Sequence, residues 1–274
     1  MSPVFGKLPS ALEERTRFVN IGGVPALVAH PDWSTPAPAC VWMHGRTVNK
    51  ELDPGRYLRW LRAGIATVSL DLPGHGQRDG PSGHSPERTL EVISQMVGEI
   101  DGVLAGLHGV VPIDPLRLAL GGMSAGGMAA LRRLCDPHPF KCAAVEGTTG
   151  DLCALYFGNA DGDQRPWPVD HPREDVAAVD ACQHLGTWRP IPLLALHNEL
   201  DEIVPIGSQR RFISRLEERY RREGADASLI TLKTFPESGA PSEHGGFGRF
   251  ANEAKNTQTA FLAQHLGATP IGEV

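Results

Sequence analysis

Short β-rich apolar runs alternate with stretches of helical periodicity along most of the 274-residue chain, and that rhythm limits the fold more than any other feature. An uninterrupted apolar run of strand length needs cover on both faces. Helical connections supply it, so the pattern predicts an α/β fold with a mostly parallel central sheet and helices on both faces. The runs fall at 17–20 and 24–30, flanking Gly22-Gly23 as a hairpin, then at 39–43, 65–70, 116–120, 142–145, 192–197 and 228–235. One helix is expected from Pro54, capped by Asp53, to Gly64. Ser85 is expected to cap another, with Pro86 in its first position and Leu90, Ile93, Val97, Ile100, Leu104 and Leu107 on one face. Further helices are expected up to Leu134, over about 208–223 before Gly224, and over about 247–266. The rhythm breaks at about 148–189, where Pro, Trp and acidic residues mix. That segment reads as a small cap inserted into a single domain of 1–274.

Composition narrows the function classes. The net charge of −6 is made of interspersed acidic and basic residues with no basic stripe, which argues against a nucleic-acid partner. No apolar run approaches the roughly 18 residues needed to cross a bilayer. Residues 1–20 carry Glu14, Arg15 and Arg17 and no apolar signal core, so no membrane span and a cytoplasmic location are expected. The five cysteines, Cys40, Cys135, Cys142, Cys153 and Cys182, are odd in number and lack metal-type spacing. Free thiols are therefore expected. Nothing in the sequence sets an oligomeric state.

Gly122-Met123-Ser124-Ala125-Gly126 follows the 116–120 run and opens a helical stretch. A sharp strand-to-helix turn forces its central residue into an unfavourable backbone conformation and leaves the residues two away no room for a side chain, which glycine tolerates. The helix N-terminus would point its N–H groups and dipole at the serine, favouring a developing oxyanion. A serine hydroxyl is a poor nucleophile alone, so a base and a group that orients it are required.

Among eleven histidines, His244 stands out because its loop, 238–246, joins the last strand to the last helix and can swing back over the serine. His75 and His84 are rivals but precede Ser124 in a turn-rich stretch. For the acid, the 192–196 run leads into a segment holding Glu199, Asp201 and Glu202, any of which would sit on the sheet edge that carries Ser124. Glu146, ending the preceding strand, is a further possibility.

The order Ser…acid…His is that of the α/β-hydrolase triad, and from about 17 to 266 the sequence resembles that superfamily. It looks most like small serine esterases of the dienelactone-hydrolase-like and prolyl-oligopeptidase-like branches. The resemblance rests on His44-Gly45, the segment Asp71-Leu72-Pro73-Gly74-His75-Gly76, the serine turn, 197–205 and His244-Gly245. One departure is that dienelactone hydrolases proper use cysteine where this chain has Ser124. The D-x-x-V-P pattern of the family selects Asp201. Its His-Gly-x loops imply that the backbone N–H of Arg46 is one oxyanion donor and that of Ala125 the other, with His44 holding the loop. The activity implied is hydrolysis of a small-molecule carboxylic ester through an acyl-enzyme, with no cofactor. A peptidase or amidase of small substrates is the rival enzyme. A noncatalytic ligand-binding protein on the same scaffold is the rival from another class.

The sequence leaves two features open. The Arg46 side chain would read an acidic group on the substrate or form a surface salt bridge with Glu51 or Asp53. Leu155, Tyr156, Phe157, Trp167 and Trp188 would line an acyl pocket or form the insertion's own small core.

Overall fold

The computed structural model describes residues 8–78, 80, 84–158 and 167–271. The apolar runs become the strands of one sheet: β1 (Thr16–Ile21), β2 (Val24–Ala29), β3 (Ala37–Met43), β4 (Ala66–Leu70), β5 (Ile113–Met123), β6 (Cys142–Glu146), β7 (Leu193–Asn198) and β8 (Ile230–Phe235). Their order is β1-β2-β4-β3-β5-β6-β7-β8. The β1–β2 hairpin and the β2–β4 pair are antiparallel, and every pairing from β4 to β8 is parallel. All residues of β3, β4, β6 and β7 are buried, as continuous apolar runs require.

Period-two alternation divides each strand between two cores. Ala39, Val41 and Met43 face one, and Cys40 and Trp42 face the other. The first core is covered by α3 (Thr89–Leu107), α4 (Ala125–Arg133), α5 (Leu152–Phe157), α6 (Arg173–Val179) and α7 (Ile206–Arg222). The second is covered by α1 (Ser10–Glu13), α2 (Pro54–Arg62) and α8 (Ala251–Leu266). Trp60 of α2 is fully buried with its ring 5.5 Å from that of Trp42, roughly edge to face. Removing such a side chain typically costs about 3–5 kcal/mol.

Several local expectations need correction. Asp53 precedes α2 but makes no cap bond. It adopts a left-handed conformation (φ 68°) and its carboxylate pairs with Arg56 and Lys255 instead. Ser85 caps nothing either, since its hydroxyl goes to the Glu87 carboxylate and a 3₁₀ turn, Pro86–Arg88, intervenes before α3. The buried stripe of α3 is Ile93, Met96, Ile100, Val103 and Leu107, while Val97 and Leu104 are only partly buried. Leu116 is 71% exposed because β5 starts earlier than its apolar core, at Ile113. All five cysteines are free. Among the described residues no helix is long and apolar enough to cross a membrane.

β3 is bordered by β4 on one side and β5 on the other, so the chain reverses its direction of travel across the sheet at this point. In open α/β sheets a crevice forms at such a reversal, outside the carboxyl ends of the strands. Here those ends deliver His44-Gly45-Arg46 after β3 and Ser124 after β5.

Candidate active site

Ser124 lies between β5 and α4 with φ 51° and ψ −121°, a conformation costing a non-glycine residue on the order of 1–3 kcal/mol. Its surroundings over-determine it. The Ser124 N–H donates to the Glu146 carbonyl at 2.9 Å. The Ser124 carbonyl accepts from Met128 N at 2.9 Å and from Thr148 Oγ1 at 2.7 Å. The two flanking glycines are sterically required. A Cβ on Gly122 would lie 2.4 Å from the Gly126 carbonyl carbon, and one on Gly126 would lie 2.4 Å from the Met43 carbonyl oxygen. Backbone blocks both positions, so no side-chain rearrangement relieves either clash.

His244 reaches back from the loop between β8 and α8. Its Nε2 is 3.0 Å from Ser124 Oγ and its Nδ1 is 2.8 Å from Asp201 Oδ2. Asp201 is buried past the end of β7, and its other oxygen accepts from Ile203 N at 2.9 Å and Val204 N at 2.8 Å. A carboxylate beside Nδ1 holds the proton there and turns the Nε2 lone pair toward the hydroxyl, the arrangement that lets an imidazole accept a serine proton. The loop is fixed from the sheet: Asn198, the last residue of β7, donates its amide to the carbonyls of Glu243 (2.6 Å) and Gly246 (2.9 Å), on both sides of His244. Ser242 and Glu243 enter His244 with positive φ, 51° and 48°.

The rival side chains lie apart from the Ser124–His244 contact. Glu146 forms two bonds to the Arg56 guanidinium, at 2.6 and 2.7 Å, and accepts from Gln258. Glu199 accepts from Thr234 on the exposed β8 side, and Glu202 is exposed. His75 is buried, bonds the Pro73 carbonyl and stacks on His84 at 4.6 Å.

His44 holds the loop after β3. The Leu72 N–H can only donate, so His44 Nε2 is the acceptor at 3.1 Å, and Nδ1 carries the proton to the Gly45 carbonyl at 2.6 Å. Burial drives its pKa down to about 4, which keeps the ring neutral. A Cβ on Gly45 would lie 3.3 Å from Ser124 Cβ, so this loop packs directly on the serine. The first N–H taken into the α4 ladder is that of Met128, to Ser124; the N–H groups of 125–127 precede the ladder and face the crevice end of the helix.

A cavity of about 670 Å³ opens above these groups, lined among others by Trp42, Arg46, Met123, Ser124, Trp167 and His244. Arg46 does not pair with Glu51 or Asp53. Its Nη1 donates to the His84 carbonyl at 3.0 Å and its guanidinium lies over the Trp167 ring, 5.2 Å from the centroid. The aromatics of 148–189 divide between the two roles left open: Trp167 lines the cavity while packing on Tyr156, whereas Trp188 belongs to the core, packed on Phe212 and bonded to Tyr220. Leu155 and Tyr156 are buried, and Phe157 packs at the edge of the same core.

Three groups around the site escaped the sequence reading: Asn198, Thr148 and the Arg56–Glu146–Gln258 network. Asn198 carried a usable signal, as a polar residue ending an apolar strand beside Asp201. The network carried none, since its members are 90 and 112 positions apart in sequence. Among the described residues one group has ligand atoms close enough for a metal, Asp151, Asp180 and Cys182, all within 4.8 Å. Their carboxylates already accept from Ala154, Cys153 and Cys182 N–H groups and from Arg211.

The chain resembles known proteins in sequence and in fold. The chain is 24% identical over 257 residues to esterase YjfP of Escherichia coli, covering 90% of this chain and 97% of that one. It superposes on TT1662 of Thermus thermophilus with a TM-score of 0.69 at 21% identity, covering 93% and 98% of the two chains. It superposes on a puromycin-hydrolyzing peptidase of Mycobacterium tuberculosis with a TM-score of 0.70 at 20% identity, covering 97% of this chain and 43% of that one. Residues 108–269 match the prolyl oligopeptidase family, a span that runs from the end of α3 through α8. With more than half its length in that match and the α/β-hydrolase sheet beneath it, the chain belongs to the prolyl oligopeptidase family and is a serine hydrolase.

Proposed function

We propose that the protein hydrolyses small carboxylic esters, with Ser124 as nucleophile, His244 as general base and Asp201 as the group that orients it. The observation that carries this reading is the contact of His244 Nε2 with Ser124 Oγ at 3.0 Å while Nδ1 faces Asp201 at 2.8 Å. His244 takes the serine proton as Oγ attacks the ester carbonyl. The resulting oxyanion rests on the N–H groups of Arg46 and Ala125, each worth about 3 kcal/mol in comparable sites. Protonated His244 passes the proton to the leaving alcohol. Water then attacks the acyl-enzyme with the same histidine as base.

The segment 148–189 serves as a cap on a single domain of 1–274. Trp167, at one wall of the cavity, supports that role, while 159–166 lie outside the described residues. Ester rather than amide chemistry is favoured by the likeness to esterase YjfP over almost its whole length. Cleavage of small amides is the second reading, favoured by the peptidase neighbour, of which this chain spans 43%.

The test is hydrolysis of p-nitrophenyl acetate, butyrate and octanoate by the wild type and by Ser124→Ala, with fluorophosphonate labelling in parallel. Turnover and labelling by the wild type alone are expected, and the chain-length preference then sizes the cavity. Full activity in Ser124→Ala would remove the nucleophile and the triad with it.

A further inference from the structure

The charges lining the cavity do not balance. Arg46, Arg56 and Lys255 are cationic, Asp53 and Glu146 acidic, and one positive charge is in excess. The excess is localised. Arg56 is matched by Glu146 and Asp53, and Lys255 by Asp53 at 2.6 Å. Arg46 has no carboxylate within 4 Å among the described residues. Its guanidinium donates to the neutral carbonyl of His84. The acid that influences it, Glu87, is exposed and bonded to Ser85.

Position makes this cation useful. Arg46 directly follows Gly45, which packs against Ser124, so its guanidinium is tethered one side chain's length from the reacting centre. The Arg46 guanidinium carbon lies over the Trp167 ring and one of its nitrogens is held by the His84 carbonyl, so the fork is anchored before any ligand arrives. One Nη1 donor is taken, and Nε and Nη2 have no acceptor among the described residues. A planar fork with free donors suits the two oxygens of a carboxylate. Partial burial pulls the Arg46 pKa below its usual value, the state a bound anion would relieve.

We propose that Arg46 is a carboxylate-reading subsite, and that the favoured substrates are esters bearing an ionised carboxylate a few bonds from the scissile carbonyl, such as half-esters of short dicarboxylic acids. The proposal rests on the ester-hydrolase reading above. The competing role for Arg46 is a strut that ties the 84–88 turn and Trp167 over the cavity, which would serve charged and neutral substrates alike.

Ethyl hydrogen glutarate and its neutral amide isostere, ethyl 4-carbamoylbutanoate, separate the two roles. Ethanol release gives kcat/KM for both esters with the wild type, Arg46→Gln and Arg46→Lys. Calorimetry measures binding of both to Ser124→Ala, with and without Arg46→Gln. The wild type should favour the charged ester on the order of tenfold or more, mainly through KM. Arg46→Gln should abolish that ratio, and Arg46→Lys should keep part of it, since an ammonium retains the charge but not the fork. Turnover of both esters with no preference, or an equal loss on both in Arg46→Gln, overturns the subsite and leaves the ester-hydrolase reading standing. Preferential, Arg46-dependent binding to Ser124→Ala without wild-type turnover supports the subsite and overturns the ester-hydrolase reading. Absence of both preference and turnover overturns both.

Discussion

The Arg56–Glu146 pair sits behind the serine turn, and its removal has a calculable consequence. Arg56 projects from α2 across the face of Trp42, 4.4 Å from the ring centroid, to Glu146 at the end of β6. Its guanidinium makes two bonds to that carboxylate, one to Gln258 of α8 at 2.6 Å and one to Asp53 at 3.1 Å. The two side chains are 6% and 2% exposed. Burial opposes the charge on Arg56, but the attraction of Glu146 and Asp53 outweighs it and raises the guanidinium pKa. Arg56→Met keeps the length and the contact with Trp42 but leaves the Glu146 carboxylate buried with the Gln258 amide as its remaining side-chain partner. Stranding a buried charge in this way costs about 3–5 kcal/mol. At about 2.1 cal/mol/K per residue, a 274-residue chain loses roughly 7 °C in Tm for a loss of about 4 kcal/mol. Differential scanning calorimetry measures it, and Arg56→Met/Glu146→Leu supplies the control. The double variant should recover much of the loss, because an apolar pair of similar volume needs no desolvation of ions. A single-variant loss below about 1 kcal/mol, the range of exposed pairs, would refute the reasoning. So would a double variant no more stable than the single one.

Asn198→Ala removes the two bonds that clamp the His244 loop, worth about 1 kcal/mol each. If Asn198 acts by positioning His244, kcat should fall roughly tenfold with KM little changed, and fluorophosphonate labelling should slow in step; a change confined to KM would argue against it. His44 gives the stability a pH dependence. Its folded pKa of about 4 lies below the unfolded value of 6.5, so between those pH values the unfolded chain binds a proton that the folded one excludes. Stability is then fully present above about pH 6.5 and falls toward pH 4 by on the order of 3 kcal/mol from this group. Urea unfolding at pH 7 and pH 5 should show the loss, and His44→Gln should reduce it while lowering stability at pH 7; the remainder comes from His138, His30 and His197, which burial also shifts down. An unchanged slope in that variant would exclude His44 as the source.

What the sequence disclosed is what depends on local chemistry. Continuous apolar runs gave β3, β4, β6 and β7, because each strand is buried on both faces. The serine turn was legible because its glycines answer steric contacts set by nearby backbone, and His244 because its loop lies where the chain must return to the sheet edge. Asp201 needed the family resemblance, since Glu199 and Glu202 share its loop. Partner choice between distant side chains was not legible. Arg46 bonds a carbonyl 38 positions away in preference to the acids a few residues on, and Glu146 is engaged by Arg56, 90 positions before it. Both follow from the layering of helices on the sheet, which composition and periodicity leave undetermined. Leu116 failed for the opposite reason: a locally plausible apolar start to a strand is solvent-facing because β5 overhangs the core.

The strain at Ser124 explains why conserving the local motif alone would not conserve the site. The backbone conformation at Ser124 is unfavourable, and nothing within the five-residue motif compensates for it except the absence of side chains at Gly122 and Gly126. The compensating bonds come from outside it. The Glu146 carbonyl takes the Ser124 N–H, and Thr148 Oγ1 holds the Ser124 carbonyl, both from the segment leaving β6. That segment is in turn fixed by Arg56 and Gln258 from two helices on the opposite face. The strained serine is thus supported through the thickness of the sheet. Its backbone is held by a chain of hydrogen bonds that reaches Gln258 of α8, and a substitution there is expected to be felt at the Ser124 backbone before it is felt in the His244 loop, which hangs from Asn198 and Asp201 instead.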